Sequence, residues 1–186
     1  MRVFQKSAQR CASRETSKKS AKLGILRHIR RKNIMIKILF ICHGNICRSP
    51  MAEFVFEDMV KREGLSGEFE IASAATSREE IGNPVHPGTR RKLEPLGISV
   101  SGKYAVQVRR EDYDAYDYLI GMDDWNIRNM IRIFGEDPEH KVYKLLDFTN
   151  RPGDVADPWY TGDFDATYRD VLEGCRGLLK KLKKRR

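Results

Sequence analysis

An apolar run from Ile36 to Cys42 (IKILFIC) ends in a thiol and passes at once into His43, Gly44, Asn45, Ile46, Cys47, Arg48, Ser49 and Pro50. A short, nearly all-apolar stretch bounded by Gly and Pro reads as a strand buried on both faces. Ser49 followed by Pro50 reads as an N-cap and the favoured first residue of a helix. Phe54, Val55, Met59 and Val60 supply a helical stripe over Pro50 to Arg62, and Gly64 stops it. A doubly buried strand feeding a helix constrains the chain to a sheet covered by helices.

The rest of the sequence repeats that alternation. Phe69 to Thr76 (FEIASAAT) predicts a second strand, Thr89 to Leu96 a short helix ending at Gly97, and Tyr116 to Met122 (YDYLIGM) a third strand. Asp123 to Phe134 predicts a helix with Ile127, Met130, Ile131 and Phe134 on one face. Lys141 to Phe148 predicts a fourth strand, and the last helix runs from about Asp163 into a basic end. Alternating strands and helices imply right-handed crossovers, so the expected fold class is α/β, with a parallel sheet and helices on both faces. In such sheets the ligand crevice lies at the carboxyl ends of the strands. Cys42, Ser73 and Met122-Asp123 fall at such ends.

The net charge of +9 over 186 residues suggests a polyanion partner until its distribution is read. Residues 1–34 carry eleven Lys and Arg against the single Glu15, and residues 180–186 add six more, leaving 35–179 at −7. The expected organisation is therefore a basic N-terminal extension over 1–34 and an acidic-bodied domain over 35–186, for which no nucleic acid is expected. The extension is polar and poor in aromatics, as in a solvated tail, with Met35 directly before the first strand. A basic anchor for nucleic acid or anionic membrane, and an organellar transit peptide, are the alternatives. No apolar run approaches the ~20 residues of a membrane span. Cys11, Cys42, Cys47 and Cys175 are too few and scattered for a secreted disulfide scaffold, which points to the cytoplasm. No metal site is expected either, because the Cys and His spacing does not fit zinc.

The loop after the first strand carries the chemistry. Gly44 and Asn45 tolerate positive φ, so successive amides can curl inward into an anion-binding nest closed by a helix N-terminus. Arg48 adds a planar fork for two oxygens of a phosphate. Cys42 at the floor of that ring is placed for in-line attack on phosphorus, with the amides and Arg48 favouring its thiolate form.

Cys42-His43-Gly44-Asn45-Ile46-Cys47-Arg48-Ser49-Pro50 resembles the signature of the low-molecular-weight protein tyrosine phosphatases. SAATS from Ser73, IGNP from Ile81, YDYLIGMD from Tyr116 and Asp157-Pro158-Trp159-Tyr160 extend the resemblance over Ile36 to Leu179. It implies a flavodoxin-like, three-layer fold with a four-stranded parallel sheet, and hydrolysis of protein phosphotyrosine without metal or other cofactor. It also implies Cys42 as nucleophile, Arg48 as phosphate clamp and Asp157 as general acid and then base. Ser49 is expected to donate to the Cys42 sulfur, and Asn45 to hold the loop's turn with Ser49 and Ser73. Asp123 either restrains Arg48 or caps the next helix. Ile46, Trp159 and Tyr160 are expected to wall the substrate cleft, with Glu79 where relatives often place an aromatic. Cys47 either pairs with Cys42 in a protective disulfide or is a small buried side chain. The chain departs from the pattern at Lys103 and Val106, where relatives often have His and Arg, which puts the support behind Asn45 in question.

Other activities compete with this one. Arsenate reductases share the loop but need further cysteines, and none lies between Cys47 and Cys175. Protein-arginine phosphatases tend to carry Thr at the position of Ile46 and a smaller acid-loop residue than Trp159. A basic nucleic-acid-binding module would draw on the charged ends rather than on the acidic body.

Overall fold

A computed structural model describes residues 35–184. The expectations for residues 1–34, including Cys11, lie outside the described residues. Strand β1 (Ile36–Cys42) pairs in parallel along its whole length with β2 (Phe69–Ala75) and on its other side with β3 (Tyr118–Gly121), which pairs with β4 (Val142–Lys144). The sheet order is β2-β1-β3-β4, all parallel, as the alternation of elements requires. Six α-helices are described: α1 (Arg48–Arg62), α2 (Pro87–Leu93), α3 (Asp112–Ala115), α4 (Asp124–Phe134), α5 (Pro158–Thr161) and α6 (Phe164–Lys184).

The period-2 alternation of β1 assigns its side chains to two cores. Ile38, Phe40 and Cys42 face the larger core, built with Met51, Ala52, Val55 and Phe56 of α1 and Val171, Cys175, Leu178 and Leu182 of α6. Leu39 and Ile41 face the other, with Leu119, Tyr113, Met130 and Phe134. Phe56 ties α1 to both neighbouring strands, edge-on to Phe40 at 5.8 Å and to Phe69 at 5.7 Å. Cys175 is fully buried among these residues, and burial pushes its thiol up.

Several boundaries differ from the sequence reading, each for a local reason. Helix α1 begins at Arg48, with Cys47 rather than Ser49 in the cap position and no side-chain cap bond. Helix α2 begins at Pro87 because the His86 ring accepts the Gly88 N–H, and it tightens into a 3₁₀ turn at Glu94–Leu96, where Pro95 can donate no amide. The fourth strand stops at Lys144. Its amide turns to the Asp147 carboxylate at 2.9 Å, and Leu145–Phe148 form a 3₁₀ turn instead of continuing the ladder. The third strand is shorter too, because Tyr116 still bonds back to Asp112 at the end of α3.

Helix α6 lies against that 3₁₀ turn at two glycines one helical turn apart. A Cβ on Gly177 would fall 2.2 Å from the Phe148 carbonyl oxygen, and one on Gly174 2.4 Å from Leu145 Cγ. Backbone cannot yield as a side chain can, so Gly177→Ala should destabilise the fold by about 1–3 kcal/mol, read as a lower urea midpoint. An unchanged midpoint would mean that the approach is looser than described.

Candidate active site

The carboxyl ends of β1, β2 and β3 open into a cleft of about 480 Å³ whose lining includes Cys42, His43, Gly44, Ile46, Cys47, Arg48, Glu79, Asp123, Asp157, Trp159 and Tyr160. Asp157, far along the chain, thus meets Cys42 and Arg48 of the loop after β1 in one place. Cys42 ends β1 at the cleft floor. Its sulfur lies 3.1 Å from Ser49 Oγ and receives the Asn45 N–H at 3.3 Å. Of the two residues expected to take positive φ, Asn45 alone does so, at 57°. Gly44 keeps negative φ; it is small for another reason, since a Cβ there would sit 3.0 Å from Glu80 Cγ.

The support behind that turn is continuous despite Lys103 and Val106. Asn45 Nδ2 donates to Ser49 Oγ at 2.8 Å and to Ser73 Oγ at 2.7 Å, while Asn45 Oδ1 accepts the Val106 amide at 3.1 Å. Val106 thus serves through its backbone, which any residue but proline could supply. Ser73 Oγ donates to Glu53 Oε2 at 2.5 Å, and Lys103 Nζ bonds the same carboxylate at 2.7 Å and the Ser73 carbonyl at 3.1 Å. Glu53, 7% exposed, was missed in the sequence reading. Its signal was a carboxylate four residues after Ser49, on the buried face of a helix otherwise lined by Met51, Ala52, Val55 and Phe56.

Arg48, 4% exposed, is held from two sides. Its Nη1 bonds Asp123 Oδ2 and its Nη2 bonds Asp157 Oδ2, each at 2.5 Å. Burial opposes the guanidinium charge, but the Cys42 sulfur, Asp157 and Asp123 outweigh it and keep its pKa above the ordinary value. Asp123 does both things considered for it, since its Oδ1 accepts the Asn126 amide at 2.6 Å and caps α4. Asp157 caps α5 in the same way, accepting the Trp159 amide at 3.0 Å.

The remaining candidates line the walls. Ile46 is buried against Cys47, Ala105 and Phe164. Cys47 and Cys42 are both free thiols, and burial, then the nearby Cys42, pushes the Cys47 thiol up to about 12, so it stays protonated. His43 Nε2 lies 3.1 Å from Glu79 Oε2 at the rim, which makes that wall polar. Trp159 and Tyr160 are exposed, and the His86 ring lies edge-on to Trp159 at 6.4 Å and stacked on Phe164 at 5.2 Å. The cleft is also lined by Glu80, Trp125 and Asn126, none of them singled out from sequence. Among the described residues, no group of three or more His, Cys, Asp or Glu is arranged to hold a metal ion, and no helix is long and apolar enough to cross a membrane.

Removing one partner of a buried ion pair strands the other charge. Lys103→Met should therefore cost about 3 kcal/mol of stability by urea unfolding, whereas a midpoint shift too small to measure would show that Glu53 does not depend on Lys103. Glu57, one turn beyond Glu53, carries a pH signature. Burial, then Glu53, pushes its pKa up to about 7 against an opposing pull from Lys103. A carboxyl whose folded pKa is raised contributes stability that is full below its unfolded value of 4.5 and lost as pH rises through about 7. Glu57→Gln should accordingly raise Tm more at pH 8 than at pH 5, and the opposite order would contradict the assigned environment.

Comparison with known proteins matches this arrangement. The family model described as low molecular weight phosphotyrosine protein phosphatase matches residues 37–186. The low molecular weight protein-tyrosine-phosphatase YfkJ of Bacillus subtilis is 41% identical over 152 residues, covering 81% of this chain and 97% of that protein. Its crystal structure superposes with a TM-score of 0.79 over 82% of this chain and 97% of that one. The low molecular weight protein-tyrosine-phosphatase PtpA of Staphylococcus epidermidis is 36% identical over 146 residues, 78% of this chain and 92% of that protein. The crystal structure of the low molecular weight protein tyrosine phosphatase SP-PTP from Streptococcus pyogenes has a TM-score of 0.71 at 41% identity, covering 80% of this chain and 93% of that one. A thiol, a clamped arginine and a capping aspartate at the ends of a four-stranded parallel sheet therefore sit where sequence and fold both point one way: the chain belongs to the low molecular weight phosphotyrosine protein phosphatase family of hydrolases.

Proposed function

We propose that the protein hydrolyses phosphotyrosine in proteins or peptides through a phosphocysteine intermediate on Cys42. The observation that carries this reading is the Arg48 fork, which presents both terminal nitrogens to carboxylates in the same cleft as the Cys42 sulfur. Carboxylate and phosphate oxygens match the same planar donor pair, so a phosphate can take the place of a carboxylate there. The acidic residues near it then acquire distinct roles. Asp123 stays with Arg48 and fixes its orientation. Asp157 gives up its Arg48 bond to the phosphate, which frees Oδ2 toward the ester oxygen.

In the first step the Cys42 sulfur attacks phosphorus, the bond to the tyrosyl oxygen breaks, and Asp157 gives that oxygen its proton. In the second, Asp157 takes a proton from the water that attacks the phosphocysteine, and the sulfur leaves with inorganic phosphate released. Ser49 Oγ, 3.1 Å from the sulfur, is placed to donate to it as it departs. Arg48 and the loop amides hold the equatorial oxygens through both steps. Ile46 and the aromatic side chains of Trp159 and Tyr160 support an aromatic ester over a phosphoguanidinium. The three free cysteines among the described residues suit a reducing compartment, which supports the cytoplasm.

Replacement of the nucleophile, Cys42→Ser, should lower kcat by about three orders of magnitude or more while equilibrium binding of inorganic phosphate persists. Asp157→Ala should slow phosphotyrosine hydrolysis by about 10²–10⁴-fold and have far less effect on aryl phosphates with good leaving groups. Equal slowing of both would remove Asp157 from the acid role. Residues 35–186 assayed side by side on phosphotyrosine peptide, phosphoarginine peptide and arsenate should turn over the first fastest; faster phosphoarginine turnover would favour an arginine phosphatase instead.

A further inference from the structure

One wall of the cleft is not used by the phosphate chemistry. Trp125 lies in the first turn of α4 and lines the cleft with 55% of its surface exposed. The chain has two tryptophans, and both, Trp125 and Trp159, line this cleft. They arrive from different elements. Trp159 follows Asp157 in α5, whereas Trp125 follows β3. Strands β2 and β3 flank β1 on its two sides, so Trp125 enters on the side away from Glu79 and Glu80, which follow β2.

The placement of Trp125 is fixed by the site itself. Asp123 caps α4 with one oxygen and holds Arg48 with the other, so a single helical turn sets how far the indole lies from the phosphate clamp. The next residue, Asp124, is paired with Lys144 at 2.7 Å, which further anchors the turn. An indole with more than half its surface in water gains its large burial energy only when another apolar group covers it.

We propose that Trp125 forms a subsite for a side chain flanking the phosphotyrosine, and that the side chain it accepts is apolar; this rests on the phosphotyrosine reading above. The chemistry of the rim selects the class. Asp123 and Asp124, directly before Trp125 at the start of the same helix, disfavour an acidic neighbour. A basic neighbour would compete with Arg128, whose guanidinium already lies 5.2 Å from the Trp125 ring centroid in the cation–π position. An aliphatic or aromatic side chain meets neither obstacle, and it gains contact with the remaining indole surface.

The test is a ratio, so that a general change in rate does not enter. kcat/KM is measured for phosphotyrosine peptides with leucine on both sides and with alanine on both sides, using the full chain, Trp125→Ala and Trp125→Phe. The full chain should favour the leucine peptide about tenfold. Trp125→Ala should abolish that preference, and Trp125→Phe should retain most of it. No preference in the full chain, or a preference undiminished in Trp125→Ala, overturns the subsite. p-Nitrophenyl phosphate, which has no flanking residues, separates the two readings: if the full chain fails to hydrolyse it, the phosphatase reading has failed, and the subsite falls with it.

Discussion

An ion pair between half-buried Lys103 and buried Glu53 stands behind the turn at Asn45, and the cleft depends on that turn. Holding a residue other than glycine at positive φ costs on the order of 1–3 kcal/mol. Asn45 recovers the cost through its own amide group, bonded to Ser49, Ser73 and the Val106 backbone. Ser73 is oriented in turn by Glu53, and Glu53 by Lys103. The same turn aims the Asn45 amide at the Cys42 sulfur and brings Arg48 to the start of α1. Lys103, where the sequence departs from the family pattern, places its ammonium against the Glu53 carboxylate.

Charge within the cleft is arranged so that each ionisable group has a separate task. Arg48 is the common partner of Asp123, Asp157 and the Cys42 sulfur, and their combined attraction offsets the cost of burying it. Cys47 stays a neutral thiol because it is buried and lies near Cys42. Asp157 belongs to a short helix far along the chain and is tied to the loop through Arg48. That tie is the link through which phosphate binding can reposition the proposed acid.

Much of the fold was legible because it rests on signals carried by single segments. IKILFIC reads as a strand buried on both faces, and the alternation of elements implied parallel order around it. What was not legible depends on partners distant in sequence. The end of β4 is decided by Asp147 turning back to the Lys144 amide, although the apolar run continues through Leu145 and Leu146. Ser49-Pro50 looked like a helix start, yet the Ser49 hydroxyl is engaged by Cys42 and Asn45, and the helix begins two residues earlier, at Arg48. Glu53 and Trp125 were missed for a related reason. The only local mark of Glu53 is a carboxylate on an apolar helix face, and a tryptophan near a helix start has none until the sheet order brings it beside the loop.

The central claim is that the Cys42 sulfur takes the phosphoryl group. The most direct measurement is rapid quenching of Asp157→Ala with p-nitrophenyl phosphate, whose leaving group needs no proton from Asp157, followed by mass spectrometry of the peptide that contains Cys42. A phosphate mass on Cys42 that forms and decays during turnover is the expected result. Turnover without any sulfur-linked phosphate, or with the phosphate on another side chain, would contradict the account.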